Sequence, residues 1–292
     1  MSLKYPVISV TGSSGAGTST AKVALEHIFR REKVVPAVVE GDCFHRYGRV
    51  EFREKAKEFA AQGRRLSHFS DEANLFDKIA ELFDSYGRTG RGLARHYVHD
   101  DEEAKRYGVA PGNFTEWEEI GEGSDLLFYE GLHGGVEEAR PFVNLLLGIV
   151  PVVNLEWIQK IHRDTEMRGY SSEAVVDNIL SRMHDYVHFI TPQFTHTDIN
   201  FQRVPLVDTS NPFIARDVPT PDESVVVIRI RKPEQWGIDF PWLLSMLNGS
   251  FMSRRNTLVV PAAKMLMAME LILTPIMHQL IDEHRKAVAA KG

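Results

Sequence analysis

The stretch YPVISVTGSSGAGTSTAKVALEHIF, residues 5–29, decides the fold. It opens with β-branched residues that are typical of a buried strand, and from Thr18 to Phe29 its apolar residues recur at helical spacing. A glycine-rich turn, residues 12–20, joins these two parts. Inward-facing backbone N–H groups and the positive end of a helix dipole make such a turn a binding site for phosphate oxygens. The sequence therefore predicts a phosphate-binding loop between a strand and a helix.

The spacing of this turn, Gly12-x-x-x-x-Gly17-x-Ser19, is that of the P-loop of nucleotide-binding proteins. Ser19 occupies the position whose hydroxyl meets Mg²⁺, but Thr18 stands where the motif carries lysine. Because phosphoryl transfer depends on charge neutralisation, a cation from another segment must replace that lysine, or the protein is a nucleotide sensor without activity. We expect ATP to be bound by Gly12, Ser13, Ser14, Gly15, Ala16, Gly17, Thr18, Ser19 and Thr20.

Strand-like segments alternate with helical ones along the rest of the chain. Apolar strands are predicted at 34–40, 125–130 and 145–153, and later strands precede a methionine-rich C-terminal helix. This order predicts an α/β, P-loop kinase-like layered fold: a mixed, mostly parallel central sheet flanked by helices, with late antiparallel strands. We expect a single domain over residues 1–292, with an inserted loop region at about 87–123 and a lid at about 155–170.

Composition restricts the partners and the compartment. Lys plus Arg number 34 against 40 for Asp plus Glu, so the net charge of −6 gives no general reason to bind nucleic acid or anionic membranes. A single cysteine, Cys43, excludes an internal disulfide. The apolar segment 265–281 is interrupted by charged and proline residues, and we expect it to be too short for a membrane span, which takes about 20 residues. These observations predict a soluble, cytoplasmic protein.

Polar residues follow the predicted strands, where α/β sheets bind ligands. Asp42 follows the second strand and is a candidate base for an attacking hydroxyl, or else the N-cap of a basic helix. Glu130 ends another strand and is a candidate Mg²⁺ ligand, or an edge carboxylate paired with a base. His45 and Arg49 could bind an anionic group of the acceptor, and His99 is a further candidate for substrate contact.

Segment 154–169, NLEWIQKIHRDTEMRG, offers the missing cation. Lys160, Arg163 and Asp164 share one helix face, opposite an apolar one. One interpretation is a surface helix with a Lys160–Asp164 ion pair worth about 0.3–0.5 kcal/mol. The other is a lid whose Lys160 and Arg163 cover the phosphates, with Arg168 reaching the same anions. We favour the lid because it accounts for the absent P-loop lysine.

Several longer motifs extend the pattern of the glycine-rich loop along the chain. They are GSSGAGTST, EGDCFHRYGR, FYEGLHGG, VPVVNLEWIQKIHRD with RGY, DINFQRVP and VDTSNPF. Together these motifs resemble the bacterial form of phosphoribulokinase, in the phosphoribulokinase/uridine kinase superfamily. The resemblance covers about residues 5–281 and implies ATP-dependent phosphorylation of ribulose 5-phosphate at O1, giving ribulose 1,5-bisphosphate and ADP in the Calvin cycle. A uridine kinase-like enzyme is the alternative, although the basic cluster His45, Arg46 and Arg49 favours a phosphorylated acceptor.

The resemblance also implies individual roles. It implies that Asp42 is the catalytic base, Lys160 the lid lysine, and Glu130 and Asp164 the metal-site and catalytic carboxylates. It further implies sugar-phosphate or substrate contacts by His45, Arg49, Arg163 and Arg168. The bacterial form carries threonine at the position of Thr18, uses Mg²⁺, is octameric or similarly oligomeric, and is activated by NADH and restrained by AMP. Its effector site corresponds loosely to Arg31, Arg182, Arg231 and Arg254, although Ser181 departs from the paired arginines of that region.

Overall fold

An eight-stranded sheet forms the centre of the molecule in a computed structural model that describes residues 4–13, 15–167, 169–215 and 217–289. The strand order is β2-β5-β1-β6-β7-β8-β10-β9, and a second, two-stranded sheet pairs β3 with β4. The strands are β1 Val7–Thr11, β2 Pro36–Glu40, β3 Gly92–Ala94, β4 Glu118–Ile120, β5 Leu126–Gly131, β6 Leu145–Ile149, β7 Ile199–Pro205, β8 Ser224–Ile230, β9 Phe251–Arg254 and β10 Thr257–Pro261.

The two halves of the large sheet differ in strand direction. Strands β2, β5, β1, β6 and β7 run parallel, whereas β8, β10 and β9 are added in antiparallel fashion. The predicted mixed sheet with late antiparallel strands is therefore confirmed. In the parallel half, the carboxyl ends of β1, β2 and β5 lie at one edge of the sheet, which brings together the segments that follow Thr11, Glu40 and Gly131.

The helices cover both faces of this sheet. Residues 172–190 do not form one continuous α-helix: the helix that begins at Ser172 ends at Ser181, and a π-helical turn follows at Tyr186–Ile190. This wider turn buries Tyr186. The helices are α1 Thr18–Glu32, α2 Arg49–Ala61, α3 Phe76–Thr89, α4 Asp101–Tyr107, α5 Val153–Glu166, α6 Ser172–Ser181, α7 Met183–Asp185, α8 Phe240–Met246 and α9 Met265–Ala289.

The alternating side chains of the central strands supply two cores. On β1, Ile8 and Val10 face the layer that contains α1 and α9, whereas Val7 faces the layer that contains α3. On β5, Phe128 and Tyr129 divide between the same two layers. Parallel strands bury both faces, which explains why every residue of β1 is buried, including Ser9 and Thr11.

Helix α9 differs from the expectation for its segment. It continues through Pro275 for 25 residues, and by length and composition the helix 262–289 is sufficient to cross a membrane. The prediction that this segment is too short and interrupted for a span was wrong. One face of the helix, which includes Met269, Ile272 and Ile276, is fully buried in the core against α1 and the sheet. Core packing therefore accounts for its apolar residues.

The inserted region at 87–123 is folded. Its first residues still belong to α3, and the rest forms the β3–β4 pair with α4 between the two strands. The carboxylate of Asp100 caps α4 by accepting hydrogen bonds of 3.0 Å from the backbone N–H groups of Glu102 and Glu103. The insert also reaches the start of α2, where the N–H of Arg49 donates to the carbonyl oxygen of Gly112 at 2.7 Å.

Candidate active site

A cleft of about 1030 Å³ opens at the carboxyl ends of β1, β2 and β5. Its walls come from the glycine-rich loop, the segment after β2, the insert, the end of β5, and helices α5 and α6. Most candidates from the sequence line this one cleft: Gly12, Ser13, Gly15, Thr18, Asp42, His45, Arg49, His99, Glu130, Lys160, Arg163 and Asp164.

The remaining loop candidates have other positions. Ala16 is buried in the core below the loop, and Ser19 is exposed in the first turn of α1. Gly17 and Thr20 lie beside it at the junction between loop and helix. Two candidates, Ser14 and Arg168, lie outside the described residues.

The glycine-rich loop is in direct contact with α5. Gly15 has a φ of +104°, and a Cβ atom there would lie 3.3 Å from the carbonyl oxygen of Glu156 and 3.4 Å from the Cβ of Lys160. Glycine is therefore needed both for the left-handed backbone and for the close packing. Lys160 consequently stands next to the loop whose own lysine is missing.

Asp164 fixes the cations of α5. Its Oδ2 lies 2.5 Å from Lys160 Nζ, and its Oδ1 accepts from Arg163 Nε at 3.1 Å. Burial would raise the pKa of Asp164, but its hydrogen bonds and charge interactions with Lys160 and Arg163 lower it. Burial lowers the pKa of Lys160, and the bond to Asp164 opposes this. The predicted ion pair thus forms, and both cations also line the cleft, so the two interpretations of this helix are compatible.

A second buried acid supports the loop from the side of α5. Glu156 is 5% exposed, and its Oε2 accepts a hydrogen bond of 3.1 Å from the hydroxyl of Tyr186. Burial raises the pKa of Glu156 above its ordinary value, and the hydrogen bond from Tyr186 opposes this. The π-helical turn that buries Tyr186 therefore stabilises the helix that carries Lys160.

Glu130 lies at the end of β5, beside the phosphate loop. Burial raises the pKa of Glu130 above its ordinary value; a hydrogen bond from Thr18 and the charge of Lys22 oppose this, whereas Glu40 and Asp42 add to it. Carboxylates gather here at the ends of β2 and β5, which favours a cation between them. Thr18, at the position of the missing lysine, thus contacts the acid predicted to bind the metal.

The donor set at this edge is suited to a hard cation. Carboxylate and hydroxyl oxygens are the protein ligands that Mg²⁺ prefers. Within the described ranges, however, no group of three or more His, Cys, Asp or Glu side chains is close enough to hold a metal ion. A magnesium ion at Glu130 would thus depend on nucleotide phosphates for most of its ligands, which is the usual arrangement for this ion.

Asp42 lies between two histidines in the part of the cleft formed by residues 41–53, 68–74 and 95–99, called the acceptor side below. His45 Nε2 lies 3.2 Å from Asp42 Oδ1, and His99 Nε2 lies 3.9 Å from Oδ2. Burial would raise the pKa of Asp42, but the hydrogen bond and charge of His45, with the charges of His99 and His68, lower it to about 2. Asp42 lies within a 3₁₀ turn, Gly41–Phe44, and α2 begins only at Arg49, so it is not the N-cap of that helix.

Two arginines of α2 line the cleft. Arg49 donates to the carbonyl oxygen of His99 at 2.9 Å, and Arg53 lies one turn further along the same face. Gly112 has a φ of +84°, and a Cβ atom there would lie only 2.7 Å from the Cβ of Arg49. Arg46, although part of the basic cluster in the sequence, instead donates to the backbone carbonyl oxygens of residues 72 and 74.

Sequence reasoning missed several residues of the cleft. Arg53 could have been found from its i, i+4 spacing to Arg49. His68 has no such signal, because it comes from the loop between α2 and α3; its ring stacks on Phe52 at 3.9 Å. Burial and the neighbouring charge of His45 lower the pKa of His68 to about 3, so it presents a neutral ring to the cleft.

The four arginines predicted to bind an effector lie in different parts of the chain's surface and cavities. Arg182 lines the active-site cleft, whereas Arg31, at the end of α1, lines a second cavity against α9. Arg254 ends β9, and Arg231 follows β8 at the same end of the antiparallel half of the sheet. The structure therefore does not gather all four in one cavity of a single chain, and the effector site stays a prediction.

A glycine-rich loop that opens into α1, a cationic helix packed on it and an ionised carboxylate in the same cleft define a P-loop kinase. The chain belongs to the phosphoribulokinase/uridine kinase family, whose model matches residues 7–210. This confirms the resemblance seen in the sequence motifs.

Relatives match over nearly the whole chain. A phosphoribulokinase of Nitrobacter vulgaris is 57% identical over 289 residues, which cover 97% of this chain and 99% of the relative. Phosphoribulokinase 1 of Cereibacter sphaeroides is 58% identical, with 98% and 100% covered. The solved structure of phosphoribulokinase from Rhodobacter spheroides has a TM-score of 0.87 and 54% identity, and the match covers 97% of this chain and 100% of that one.

Proposed function

We propose that this chain transfers the γ-phosphoryl group of ATP to O1 of D-ribulose 5-phosphate, giving D-ribulose 1,5-bisphosphate and ADP in the Calvin cycle. Relatives named phosphoribulokinase, 57–58% identical over nearly the full length, support this assignment. The structural observation that carries it is the cleft itself, in which the glycine-rich loop, Lys160, Arg163 and Asp42 face one common space.

The phosphate side of the reaction depends on preorganised positive charge. Backbone N–H groups of the glycine-rich loop and the N-terminus of α1 bind the phosphate oxygens. Lys160 and Arg163 neutralise the charge that develops on the transferring group, which is the main contribution a protein makes to phosphoryl transfer. Asp164 keeps both cations oriented through its contacts of 2.5 and 3.1 Å.

The acceptor side depends on Asp42. With a pKa of about 2, this carboxylate is ionised at every physiological pH and can accept the proton of the attacking O1 hydroxyl. Arg49 and Arg53 line the same cleft and are suited to the phosphate of the sugar, because guanidinium groups bind phosphate oxygens in a bidentate manner. His45 supplies further positive charge beside them.

We also propose that the reaction uses Mg²⁺, held by Glu130 and Ser19 with Asp164 as a further candidate. When bound, the ion supplies charge neutralisation at the nucleotide phosphates. Glu130 suits this role because it is a largely buried carboxylate whose pKa is raised by burial and by two neighbouring acids. A cation at this position would relieve their mutual repulsion.

The finer predictions concern regulation and assembly. We propose activation by NADH, restraint by AMP and assembly into a homo-octamer. The candidate effector residues are the same four arginines, among which Arg31 alone lines the second cavity. Initial rates with and without each nucleotide test the regulation, and light scattering of the purified protein tests the assembly.

The deciding experiment is coupled ADP release with three reactions in parallel: ribulose 5-phosphate, uridine and no acceptor. We expect release with ribulose 5-phosphate alone, and a new phosphate ester at O1 in the phosphorus NMR spectrum of the product. Preferential turnover of uridine would replace the proposed substrate with that of a uridine kinase. Binding of ATP without turnover of either acceptor would make the chain a nucleotide sensor.

A further inference from the structure

Asn74 is a buried side chain directly beneath the acceptor site. It is 2% exposed and its backbone pairs with that of His45 in an isolated antiparallel bridge. Its side-chain nitrogen donates to the carbonyl oxygens of Ser70 at 2.6 Å and His68 at 2.9 Å. Both amide hydrogens are thus committed to carbonyls. The amide cannot be flipped by 180°, because its oxygen would then face the carbonyl oxygens of Ser70 and His68.

This fixed orientation determines the protonation of His45. Asn74 Oδ1 lies 2.7 Å from His45 Nδ1, and an amide oxygen only accepts hydrogen bonds, so Nδ1 carries a hydrogen. The other ring nitrogen, Nε2, lies 3.2 Å from Asp42 Oδ1, and an ionised carboxylate also only accepts. Each ring nitrogen therefore carries a hydrogen, and the ring is an imidazolium. Loss of the Nε2 proton would set a lone pair against the carboxylate.

We propose that Asn74 is a positioning residue of the acceptor site. It holds His45 as an imidazolium with hydrogen on both ring nitrogens, and this imidazolium forms an ion pair with Asp42 Oδ1. Asp42 Oδ2 is therefore the oxygen that takes the acceptor's proton. This inference rests on the proposed function. In the step, the O1–H proton passes to Oδ2 while O1 forms a bond to the γ-phosphorus and the bond to the β–γ bridging oxygen breaks, leaving ADP. His45 keeps both of its protons throughout.

The other groups around His45 are consistent with this assignment. Asp42 is the carboxylate in contact with it, and Arg95 donates to its backbone carbonyl oxygen at 2.6 Å. The ring of His68 lies 4.8 Å away, and that of Tyr97 lies 6.5 Å away. His99 also faces the pair, with its Nε2 3.9 Å from Asp42 Oδ2, and the charges of Asp42 and His45 both act on the buried ring of His133.

Burial and Arg95 lower the pKa of His45, but its bonds to Asp42 and Asn74 raise it above the ordinary value overall. His68 and His133 are kept neutral, each with a pKa lowered to about 3 chiefly by burial, so neither adds a competing positive charge near neutral pH. The imidazolium of His45 is therefore stabilised by two acceptors, Asp42 Oδ1 and Asn74 Oδ1.

The test is ¹⁵N NMR of the full-length protein labelled at histidine, without nucleotide or sugar. At pH 8 we expect one histidine with hydrogen on both ring nitrogens, assigned by its loss in His45→Gln. Asn74→Ala removes the acceptor at Nδ1 and should lower the titration midpoint of His45 by about one pH unit or more. Asn74→Asp restores an acceptor and should restore the charge. Asn113→Ala, in the insert, is the control and should not move this midpoint.

A kinetic measurement completes the test. The alkaline limb of the kcat–pH profile with ribulose 5-phosphate should move to lower pH in Asn74→Ala by the same amount as the His45 midpoint, with the KM for ATP unchanged.

A His45 that carries hydrogen on only one nitrogen in the wild-type protein at pH 8 overturns the proposal, even if the Asn74 variants do not fold. An unmoved midpoint in a folded Asn74→Ala overturns it as well. Since the NMR signal needs no substrate, failure of the proposed reaction would leave this result readable.

Discussion

The two sides of the cleft are built on different principles. The phosphate side consists of one continuous loop at residues 12–20 and one helix, α5, packed on it through Gly15. The acceptor side is assembled from short segments that lie far apart in the sequence, at residues 41–53, 68–74 and 95–99. Arginine side chains join these segments by donating to backbone carbonyl oxygens of another segment.

This difference predicts different responses to substitution. In the proposed function, backbone N–H groups and a helix dipole do much of the binding on the phosphate side, and these survive the loss of a side chain. On the acceptor side, an ion pair joins Asp42 to His45 and a hydrogen bond joins His45 to Asn74, so each member sets the state of the next. Removing one member there changes the charge of its neighbours, so the effect reaches beyond the lost contact.

The largest effect is expected for Asp42→Asn. The amide cannot accept the hydroxyl proton, and a positioned base contributes about 10²–10⁴-fold, so kcat should fall by that range. ATP binding should persist, because the loop and α5 are untouched. The measurement is kcat by coupled ADP release together with the dissociation constant of ATP. Asp84→Asn, on the outer face of α3, is the control; near wild-type turnover in Asp42→Asn would remove Asp42 from the mechanism.

Lys160→Met should lower kcat by about 10²–10³, the usual cost of losing one donor to the charge of the transition state. Asp164 keeps its contact with Arg163, so the helix should remain folded. Steady-state kinetics and thermal unfolding, run on the same preparation, separate these two effects. Lys78→Met, at an exposed ion pair on α3, is the matched control. A large loss of stability with little loss of turnover would make Lys160 a structural residue.

The sequence was sufficient for the parts whose physics is local. A strand, a glycine turn and a helix at P-loop spacing placed residues 12–20, and the i, i+3, i+4 pattern placed Lys160, Arg163 and Asp164 on one face. The strand ends gave Asp42 and Glu130, because parallel strands deliver their carboxyl ends to the same edge. In each case, a candidate residue and the pattern that predicted it are neighbours in the sequence.

The rest depends on contacts that no local pattern encodes. Asn74 reaches His45 across 29 residues, and its role depends on two carbonyl oxygens that orient its amide. His68 lies in an irregular loop, and its place in the cleft follows from stacking on Phe52. The expectation that segment 265–281 is interrupted failed for a related reason. The helix continues through Pro275, because the residues around this proline are held by the core.

Arg49→Ala and Arg53→Ala should affect the acceptor alone. The loss of one charged hydrogen bond to phosphate costs about 1.5–3 kcal/mol, so the KM for ribulose 5-phosphate should rise about 10- to 100-fold while the KM for ATP stays the same. Arg46→Ala is the matched control, because that guanidinium donates to backbone carbonyls instead of lining the cleft. Equal changes in both KM values would mean that these arginines shape the whole cleft.

The smallest effect concerns stability and tests whether the neutral histidines of the acceptor side are coupled to folding. His133 is 3% exposed, and burial lowers its pKa from 6.5 to about 3. Between these two pH values, the unfolded chain binds a proton there that the folded chain does not. Stability is therefore lost as the pH falls below 6.5, by up to about 1.4 kcal/mol per pH unit for each such group.

His133→Gln keeps an N–H donor for the carbonyl oxygen of His68, which His133 Nε2 contacts at 3.1 Å, but it cannot titrate. From pH 7.5 to 5.5, its free energy of unfolding in urea should fall by about 1.4 kcal/mol less than that of the wild type. His184→Gln, at an exposed histidine, should behave as the wild type. Equal losses in all three proteins would show that His133 is protonated in the fold, and the acceptor side would then hold a second buried cation that competes with His45 for Asp42.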